Sequence, residues 1–388
     1  MAAPSDRIDH VLILGNGIAG LTAADALRGA GFDGEVTIVG EEKHAAYSRP
    51  ALSKALLAPA ADLTAHQLPT PTHGATELLG VRATALDPEA RRVRLDDGET
   101  LGYDRLVIAT GSRARRLSDL ADEVTLRGLD DAFVLRERIA EVGPGGSVIV
   151  VGGGVLGMEI ASGALAAGCR VTVVSQGLPL IDALGEHLAQ IWTRTAQDQG
   201  LEVVQTAGAR LERPGAHTEV VLADGRRLHA DVVVSAVGDL PNTEWLADSG
   251  LLAAGAGGGA IAVDERGLVR PDVAAVGDLA ALVTAYGRRR IPLWSSAIEQ
   301  AKVAAVALIR GEEAPPLAFQ SYFWTEGFGL HLKAVGDLPV TGAPEYVDAG
   351  PDGHGLMRWA PVEGSGAGAA VALNHRIPIP RLRRTLAG

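Results

Sequence analysis

Two stretches of the chain carry the same pattern of apolar and small residues. His10–Gly40 reads HVLILGNGIAGLTAADALRGAGFDGEVTIVG, and Ser147–Val174 reads SVIVVGGGVLGMEIASGALAAGCRVTVV. Each opens on a run of aliphatic and β-branched residues, turns on glycines, and continues as an Ala-rich helical pattern. Each then stops on glycine and resumes a second apolar run. Apolar runs without alternation mark strands buried on both faces, which is the signature of parallel pairing. Both stretches therefore predict a βαβ unit. Starting at His10 and Ser147, they lie too far apart to share one ordinary sheet.

After each unit the pattern changes to alternation. Val81–Arg94 and Leu101–Leu106 flank Asp97-Gly98, and Asp224-Gly225 follows Glu219–Leu222. An Asp-Gly pair between such runs predicts a hairpin turn. Each half then closes on an apolar strand ending in glycine, Leu106–Gly111 and Asp231–Gly238, so the pattern is an internal duplication. Beyond it come Val269–Asp278, a helical pattern at about Ser295–Ile309, and a charged, proline-bearing linker at Gly311–Pro316. The remainder alternates β-like stretches, Ala367–Leu373 among them, with turns. It ends in a basic tail, Arg381 to Arg384.

Composition narrows the classes. A chain of 388 residues predicts two or three domains, and 49 glycines with 4% aromatic residues suit an α/β protein rich in tight turns. The formal net charge of -12 argues against a nucleic-acid partner. Met1–His10 lacks the basic and apolar parts of a signal peptide, and no apolar run reaches membrane-spanning length, so a cytoplasmic protein is expected. The single cysteine, Cys169, excludes an internal disulfide, a paired-thiol redox centre and a multi-cysteine zinc site. No G-x-S-x-G elbow supports a serine hydrolase.

The glycine-rich turns carry the chemistry. Gly15, Gly17 and Gly20 form G-x-G-x-x-G straight after a predicted strand, with Ile18 and Ala19 opening the helix. The first glycine makes the turn, the second lets backbone approach a diphosphate, and the third allows close helix–strand packing. The helix N-terminus then favours the phosphate charge. Glu41, at the end of the next strand, has the place of a carboxylate that accepts ribose hydroxyls. Gly152, Gly154 and Gly157 repeat the turn, with Val155 and Leu156 opening the helix and Glu159 within it. Here the ribose acid is missing. The strand ends in Ser175-Gln176, and no Arg or Lys lies between Ser175 and Glu186 to hold a 2′-phosphate. NADH and NADPH are poorly distinguished, with a lean to NADH.

At this point the chain resembles the FAD-dependent, NAD(P)H-linked ferredoxin reductases that serve bacterial P450s and ring-hydroxylating dioxygenases. The segments that carry the resemblance are GNGIAG (Gly15–Gly20), YSRPALSKALL (Tyr47–Leu57), LVIATGSRARRL (Leu106–Leu117), VVGGGVLGMEIA (Val150–Ala161), AVGDLPNTEWL (Ala236–Leu246), VAAVGDLA (Val273–Ala280) and YFWTEGFGLHLKAVG (Tyr322–Gly336). The resemblance implies two Rossmann-like dinucleotide-binding domains plus a C-terminal α+β domain. The FAD domain would be discontinuous, residues 1–118 and 239–311. The NAD(P) domain would be 119–238, and a C-terminal interface domain 312–388.

It also implies site residues. Arg49, Pro50 and Lys54 fall at FAD contacts, Arg49 on the diphosphate and Lys54 near the flavin ring. Arg82, Ala83, Ala109, Thr110 and Gly111 join them. Gly277 and Asp278 should meet the same cofactor, Asp278 together with a helix N-terminus following it. Ser175 and Gly238 belong to the second dinucleotide, and Glu159 would stand near the nicotinamide. Trp294 and Trp324 match aromatic positions near the flavin. Departures from the family pattern occur at Pro292, where it has Glu, at Ser296, where it has Asn, and over Glu326–Gly329, where it has Asp-Gln-Tyr-Asp.

The expected activity is hydride transfer from NAD(P)H to FAD, then single electrons to a ferredoxin-type iron–sulfur protein, in a monomer or homodimer with no membrane or nucleic-acid partner. Lys54 and Glu159 are the candidate catalytic pair. A docking patch for an acidic partner would use Arg113, Arg115 and Arg116, Arg288 to Arg290, or Arg381 to Arg384. The alternatives are a reductase of small molecules or oxygen, and a non-catalytic flavin redox sensor.

Overall fold

The computed structural model describes residues 7–54, 57, 66–69, 71–120, 122–214, 218–252, 258–284, 287–361 and 368–387. The chain divides into two compact units. The first comprises the described residues of Met1–Ser48, His66–Arg113 and Leu240–Phe319; the second, those of Arg49–Ala65, Ala114–Asp239 and Gln320–Gly388.

The first unit is built on a six-stranded sheet. In spatial order its strands are Leu268–Arg270, Val273–Ala275, Arg105–Ile108, His10–Leu14, Glu35–Gly40 and Thr76–Leu79. All neighbours run parallel except the Leu268–Arg270 edge. Val11, Leu12 and Ile13 are inaccessible to solvent, as the unbroken apolar run requires of a strand covered on both faces. The helices Ile18–Gly29 and Trp294–Arg310 cover one face through Ala23, Ala24, Ala301 and Ala304. The other face packs on the three-stranded antiparallel sheet Ala83–Asp87, Arg92–Leu95 and Thr100–Gly102, whose last turn holds Asp97-Gly98. The linker expected at Gly311–Pro316 is anchored in this unit. Ala314 is buried and its carbonyl accepts from Arg266 Nε at 2.7 Å.

The second unit repeats the plan. Its parallel sheet runs Glu202–Gln205, Arg170–Ser175, Ser147–Val151 and Val232–Ser235. A three-stranded antiparallel sheet, Ala209–Glu212, Glu219–Leu222 and Arg227–His229, packs on it. The same unit contains a five-stranded antiparallel sheet in the order Tyr322–Gly327, Leu330–Gly336, Ala369–Leu373, Gly355–Trp359 and Glu345–Ala349. Its first two strands join through Phe328-Gly329, both at positive φ (55° and 74°), the geometry of a tight hairpin turn. The Phe328 N–H donates to Ser162 Oγ at 2.8 Å, and the Phe328 carbonyl accepts from Gln199 Nε2 at 2.7 Å. The departure at Glu326–Gly329 therefore covers the end of a strand and an anchored turn at Phe328-Gly329.

The basic tail is a helix, Ile379–Ala387. Leu382 is buried, and Ile379 and Leu386 pack beside it against Val335 and Ala370 of the sheet, with Arg381, Arg383 and Arg384 outward. Two prolines at its start mask the helical period in the sequence. Pro380 is tolerated because first-turn N–H groups have no helical acceptor.

Glu123 fixes the segment leading into the second unit. Its side chain is inaccessible and accepts from Leu117 N at 2.7 Å, Ser118 N at 2.9 Å and Ser118 Oγ at 2.7 Å. Burial pushes its pKa up, but these donors outweigh burial and hold it below the usual glutamate value. With the folded value below the unfolded one, the clamp's stabilisation is full above the glutamate range and is lost as pH falls through the folded value. Glu123→Gln should lower stability at pH 7 and flatten the loss of stability below about pH 4.5, read from urea unfolding at several pH values. An acid limb identical to the parent's would contradict this. Gly152→Ala should cost about 3 kcal/mol or more in the same assay, because a Cβ there meets the Ala236 carbonyl oxygen at 2.2 Å and φ is +121°.

Candidate functional site

In the first unit the Gly15 N–H donates to Val39 O at 2.7 Å, at the point where two parallel strands diverge. Gly15 has φ +116°, and a Cβ there would lie 2.1 Å from the Ala109 oxygen. At Gly20 it would lie 1.9 Å from the Gly15 oxygen. Both glycines are thus required by backbone approach. Gly17 differs, since a Cβ there would meet nothing within 4 Å. The helix it caps, beginning Ile18-Ala19, has no side-chain cap and no acid in its first turn. Asn16 Oδ1 is buried without a hydrogen-bond partner among the described residues.

Around this turn, Glu41 follows the Glu35–Gly40 strand, 64% exposed, with Oε1 3.5 Å from Arg82 Nη1. Ala83 is buried at the start of the next strand. The Ala109 N–H donates to Leu14 O at 2.7 Å. Thr110 Oγ1 donates to the Asn242 carbonyl at 2.8 Å, while Asn242 Nδ2 donates to Thr110 O at 2.9 Å, and Gly111 turns at φ +66°. Gly277 has φ +85°, and a Cβ there would lie 3.3 Å from the Ala19 Cβ, which puts this turn against the start of the first helix. Its N–H donates to Gln300 Oε1, and Gln300 Nε2 donates to Ser296 Oγ, each at 2.8 Å and buried. Ser296 thus has a definite partner in the helix that Trp294, half-buried, begins. Asp278 Oδ2 accepts from Ser112 Oγ at 3.3 Å. The helix expected to follow Asp278 is Trp294–Arg310, which the chain reaches through the strands Ala280–Thr284 and Gly287–Arg290, so directly after Asp278 comes a turn into a strand.

The second unit repeats the cradle. Gly152 N donates to Val174 O at 2.8 Å, and a Cβ at Gly157 would lie 2.0 Å from Gly152 O. Gly154 is open, and the Val155–Ala166 helix, which starts Val155-Leu156, again has no side-chain cap and no first-turn acid. A Cβ on Gly153 would lie 2.4 Å from Ser175 Oγ. Gly238 turns at φ +99° and its carbonyl accepts from Arg115 N at 3.0 Å. Both turns therefore fit a dinucleotide diphosphate: room above an open glycine, and a helix whose donors no side chain occupies.

Glu159 lies one turn further along that helix, 5% exposed. It accepts from Ser53 Oγ at 2.5 Å on one oxygen, and from Thr325 Oγ1 at 2.6 Å and Lys54 Nζ at 2.9 Å on the other. Lys54, 11% exposed, also donates to the Pro50 carbonyl at 3.2 Å. A carboxyl group this buried needs a counter-charge and hydrogen-bond partners, and this cluster supplies both. It can hold a fixed charge and orient a polar group brought beside it. Arg49 Nη1 donates to Arg127 O at 3.0 Å. Trp324 stacks on Tyr322, centroids 5.6 Å apart, and being next to Thr325 in a strand it points to the opposite face of the sheet from the Glu159 cluster. Burial pushes the Cys169 thiol pKa up, aided by Asp231, which suits an inert core residue.

The basic clusters are unequal. Arg113 is held by Glu244 and the Pro241 carbonyl, and Arg116 by Glu123 and the Leu120 carbonyl. Arg288 Nη1 donates to the Ala281 carbonyl at 3.3 Å and also to the Val263 carbonyl, and Arg290 to the Asp278 carbonyl. Arg381, Arg383 and Arg384 are exposed and have no acidic partner among the described residues. No described helix is long and apolar enough to cross a membrane.

Comparison with known proteins agrees with this layout. The family model described as pyridine nucleotide-disulphide oxidoreductase matches residues 9–301. The ferredoxin–NAD(+) reductase component of the biphenyl dioxygenase system of Paraburkholderia xenovorans (strain LB400) is 35% identical over 346 residues, 86% of this chain and 83% of that protein. Putidaredoxin reductase CamA of Pseudomonas putida is 31% identical over 349 residues, 84% and 80% of the two chains. Among solved structures, the covalent putidaredoxin reductase–putidaredoxin complex superposes with a TM-score of 0.82 at 26% identity, covering 98% of this chain and 92% of the other.

Ser53, Thr325, Asn242 and Gln300 were not singled out by sequence. Thr325→Val should remove about 1–3 kcal/mol of stability, as expected for loss of a buried hydrogen bond to a charged acceptor. Chemical denaturation checks it, and a change below about 0.5 kcal/mol would show that Thr325 does not support Glu159.

Proposed function

The chain belongs to the pyridine nucleotide-disulphide oxidoreductase family, and within it we propose an NADH-dependent, FAD-containing reductase that delivers electrons to a ferredoxin-type iron–sulfur protein serving an oxygenase. The observation that carries this reading is the duplicated cradle, two open glycine turns under uncapped helix N-termini, together with one buried Lys–Glu pair and no second cysteine. The relatives' names supply the partner class. The lack of a cysteine pair separates this chain from members whose chemistry runs through a disulfide.

In this proposal FAD lies along the Gly15 turn and NADH along the Gly152 turn, and when bound they supply the hydride acceptor, the hydride donor and the release of electrons one at a time. The chain contributes orientation and electrostatics. Ile18, Ala19, Val155 and Leu156 present backbone N–H groups to the diphosphates. Glu41 accepts from an adenosine ribose, with Arg82 steadying its carboxylate. Arg49, Pro50, Ala83, Ala109, Thr110, Gly111, Gly238, Gly277, Asp278 and Trp294 belong to the walls of the two sites, while Trp324 faces away from the Glu159 cluster. Lys54 and Glu159 form a buried, fixed pair that orients the reacting ring. Functionally, residues 1–118 and 239–311 serve FAD, 119–238 serve NADH, and 312–388 serve the partner. We place the protein in the cytoplasm.

The outward arginines of the C-terminal helix, which have no acidic partner among the described residues, would attract an acidic partner. Reversing Arg381, Arg383 and Arg384 to Glu should slow ferredoxin reduction about tenfold or more at low ionic strength and converge with the parent at high salt. Ferricyanide reduction should be unaffected. Equal ferredoxin rates at low salt would remove this surface from the account. The function itself is tested by cytochrome c reduction with NADH, with and without added ferredoxin. Turnover indifferent to the ferredoxin would contradict a dedicated protein acceptor. Glu41→Ala should retain less flavin on purification, read from the absorbance ratio of flavin to protein, and full flavin content would deny Glu41 its role.

A further inference from the structure

The two cradles can be matched residue by residue, because the same hydrogen bond opens each. Gly15 N donates to Val39 O, and Gly152 N to Val174 O. Leu14 pairs with Val39 and Val151 with Val174 in the two parallel ladders. Counting on from these anchors, Gly40 corresponds to Ser175 and Glu41 to Gln176. The first cradle therefore ends its strand in a bare glycine and a carboxylate, and the second in a hydroxyl and a neutral amide.

The neighbours of this pair are also neutral. Gln176 Nε2 donates, at 3.4 Å, to the carbonyl of Ala207, and the amide oxygen has no donor among the described residues. Ser175 Oγ stands over the turn, near enough to Gly153 that no Cβ fits there. Ser175 contributes its N–H and C=O to the ladder and to Thr206, and its hydroxyl has no hydrogen-bond partner among the described residues. Residues 175–180 and 206–208, which frame the strand end, contain no Asp, Glu, Arg or Lys. Arg170, at the far end of the same strand, donates to the Gly145 carbonyl at 3.1 Å, and Arg210, just beyond the second of these stretches, is taken up by Glu212.

A carboxylate at this position accepts both ribose hydroxyls and repels a 2′-phosphate, whereas an Arg demands the phosphate. A hydroxyl and an amide do neither. We propose that the second cradle admits a 2′-phosphate, so that the chain binds NADPH as well as NADH, with Ser175 and Gln176 setting the discrimination. This rests on the reading of the Gly152 turn as the nicotinamide-dinucleotide site.

The test is calorimetric titration of the flavin-loaded protein with NAD+ and with NADP+ at fixed ionic strength. The two dissociation constants should lie within about tenfold of each other. Gln176→Glu should widen the ratio more than tenfold by weakening NADP+, while NAD+ affinity holds or improves. Ser175→Ala should weaken NADP+ and spare NAD+. A parent protein that binds NADP+ more than a hundredfold more weakly than NAD+ overturns the inference, as does a Gln176→Glu variant with an unchanged ratio. Binding of neither dinucleotide would overturn the reading of the cradle itself, and the inference with it.

Discussion

Everything in this molecule that concerns phosphate depends on backbone coming closer to backbone than any side chain allows. The Gly15 α-carbon faces the Ala109 carbonyl, and the Gly152 α-carbon faces the Ala236 carbonyl, at distances where a methyl group would overlap oxygen. The third glycine of each turn closes on the first in the same way. These contacts fix the angle at which strand gives way to helix, and so aim the helix axis. Once aimed, the helix needs no charged residue to favour an anion, because its own unsatisfied N–H groups do so. The absence of a capping side chain at both N-termini is the complement of this. Any cap would occupy the donors that the turn presents.

The buried Glu159 cluster follows a different logic. A paired charge inside a protein costs desolvation that its own attraction repays only when every lone pair is occupied. Here three donors arrive on the Glu159 carboxylate from two separated segments: Ser53 and Lys54 from one, and Thr325 from a strand far along the chain. Such an arrangement contributes little net stability compared with an apolar replacement. Its value lies in a polar group that cannot rotate. A short-range electrostatic site needs that rigidity, and a glutamate on an open surface could not supply it.

How much of this was legible in the chain depended on range. The glycine turns, the Asp-Gly hairpins and the buried runs are local signals, and the sheets Leu106–Gly111 and Asp231–Gly238 close appear where the pattern placed them. The helix expected at about Ser295–Ile309 is present as Trp294–Arg310, but the strands between it and Asp278 were not read, since small residues after a buried run suit several kinds of turn. The helix Ile379–Ala387 was hidden by its brevity and its prolines. Ser53 and Thr325 were illegible for a plainer reason. Their acceptor lies 106 and 166 residues away, and no spacing rule spans such distances. Ser296 looked like a loss when set against the family's Asn, yet its hydroxyl accepts from Gln300, which in turn receives the Gly277 N–H. That chain of contacts exists only in three dimensions.

The division of the polypeptide between its two units has a consequence for how it can be made. The chain passes from one unit to the other at residues 48–49, 65–66, 113–114, 239–240 and 319–320. Neither unit is a continuous stretch, so no single cut yields either one whole. As the chain leaves the ribosome, the four-stranded parallel sheet is complete by Ser235, while the six-stranded sheet must wait for Val273–Ala275 to slot beside Arg105–Ile108. The earliest-synthesised glycine turn is thus supported by some of the later-synthesised strands, and a nascent chain stalled before that point would have its second cradle assembled and its first unfinished.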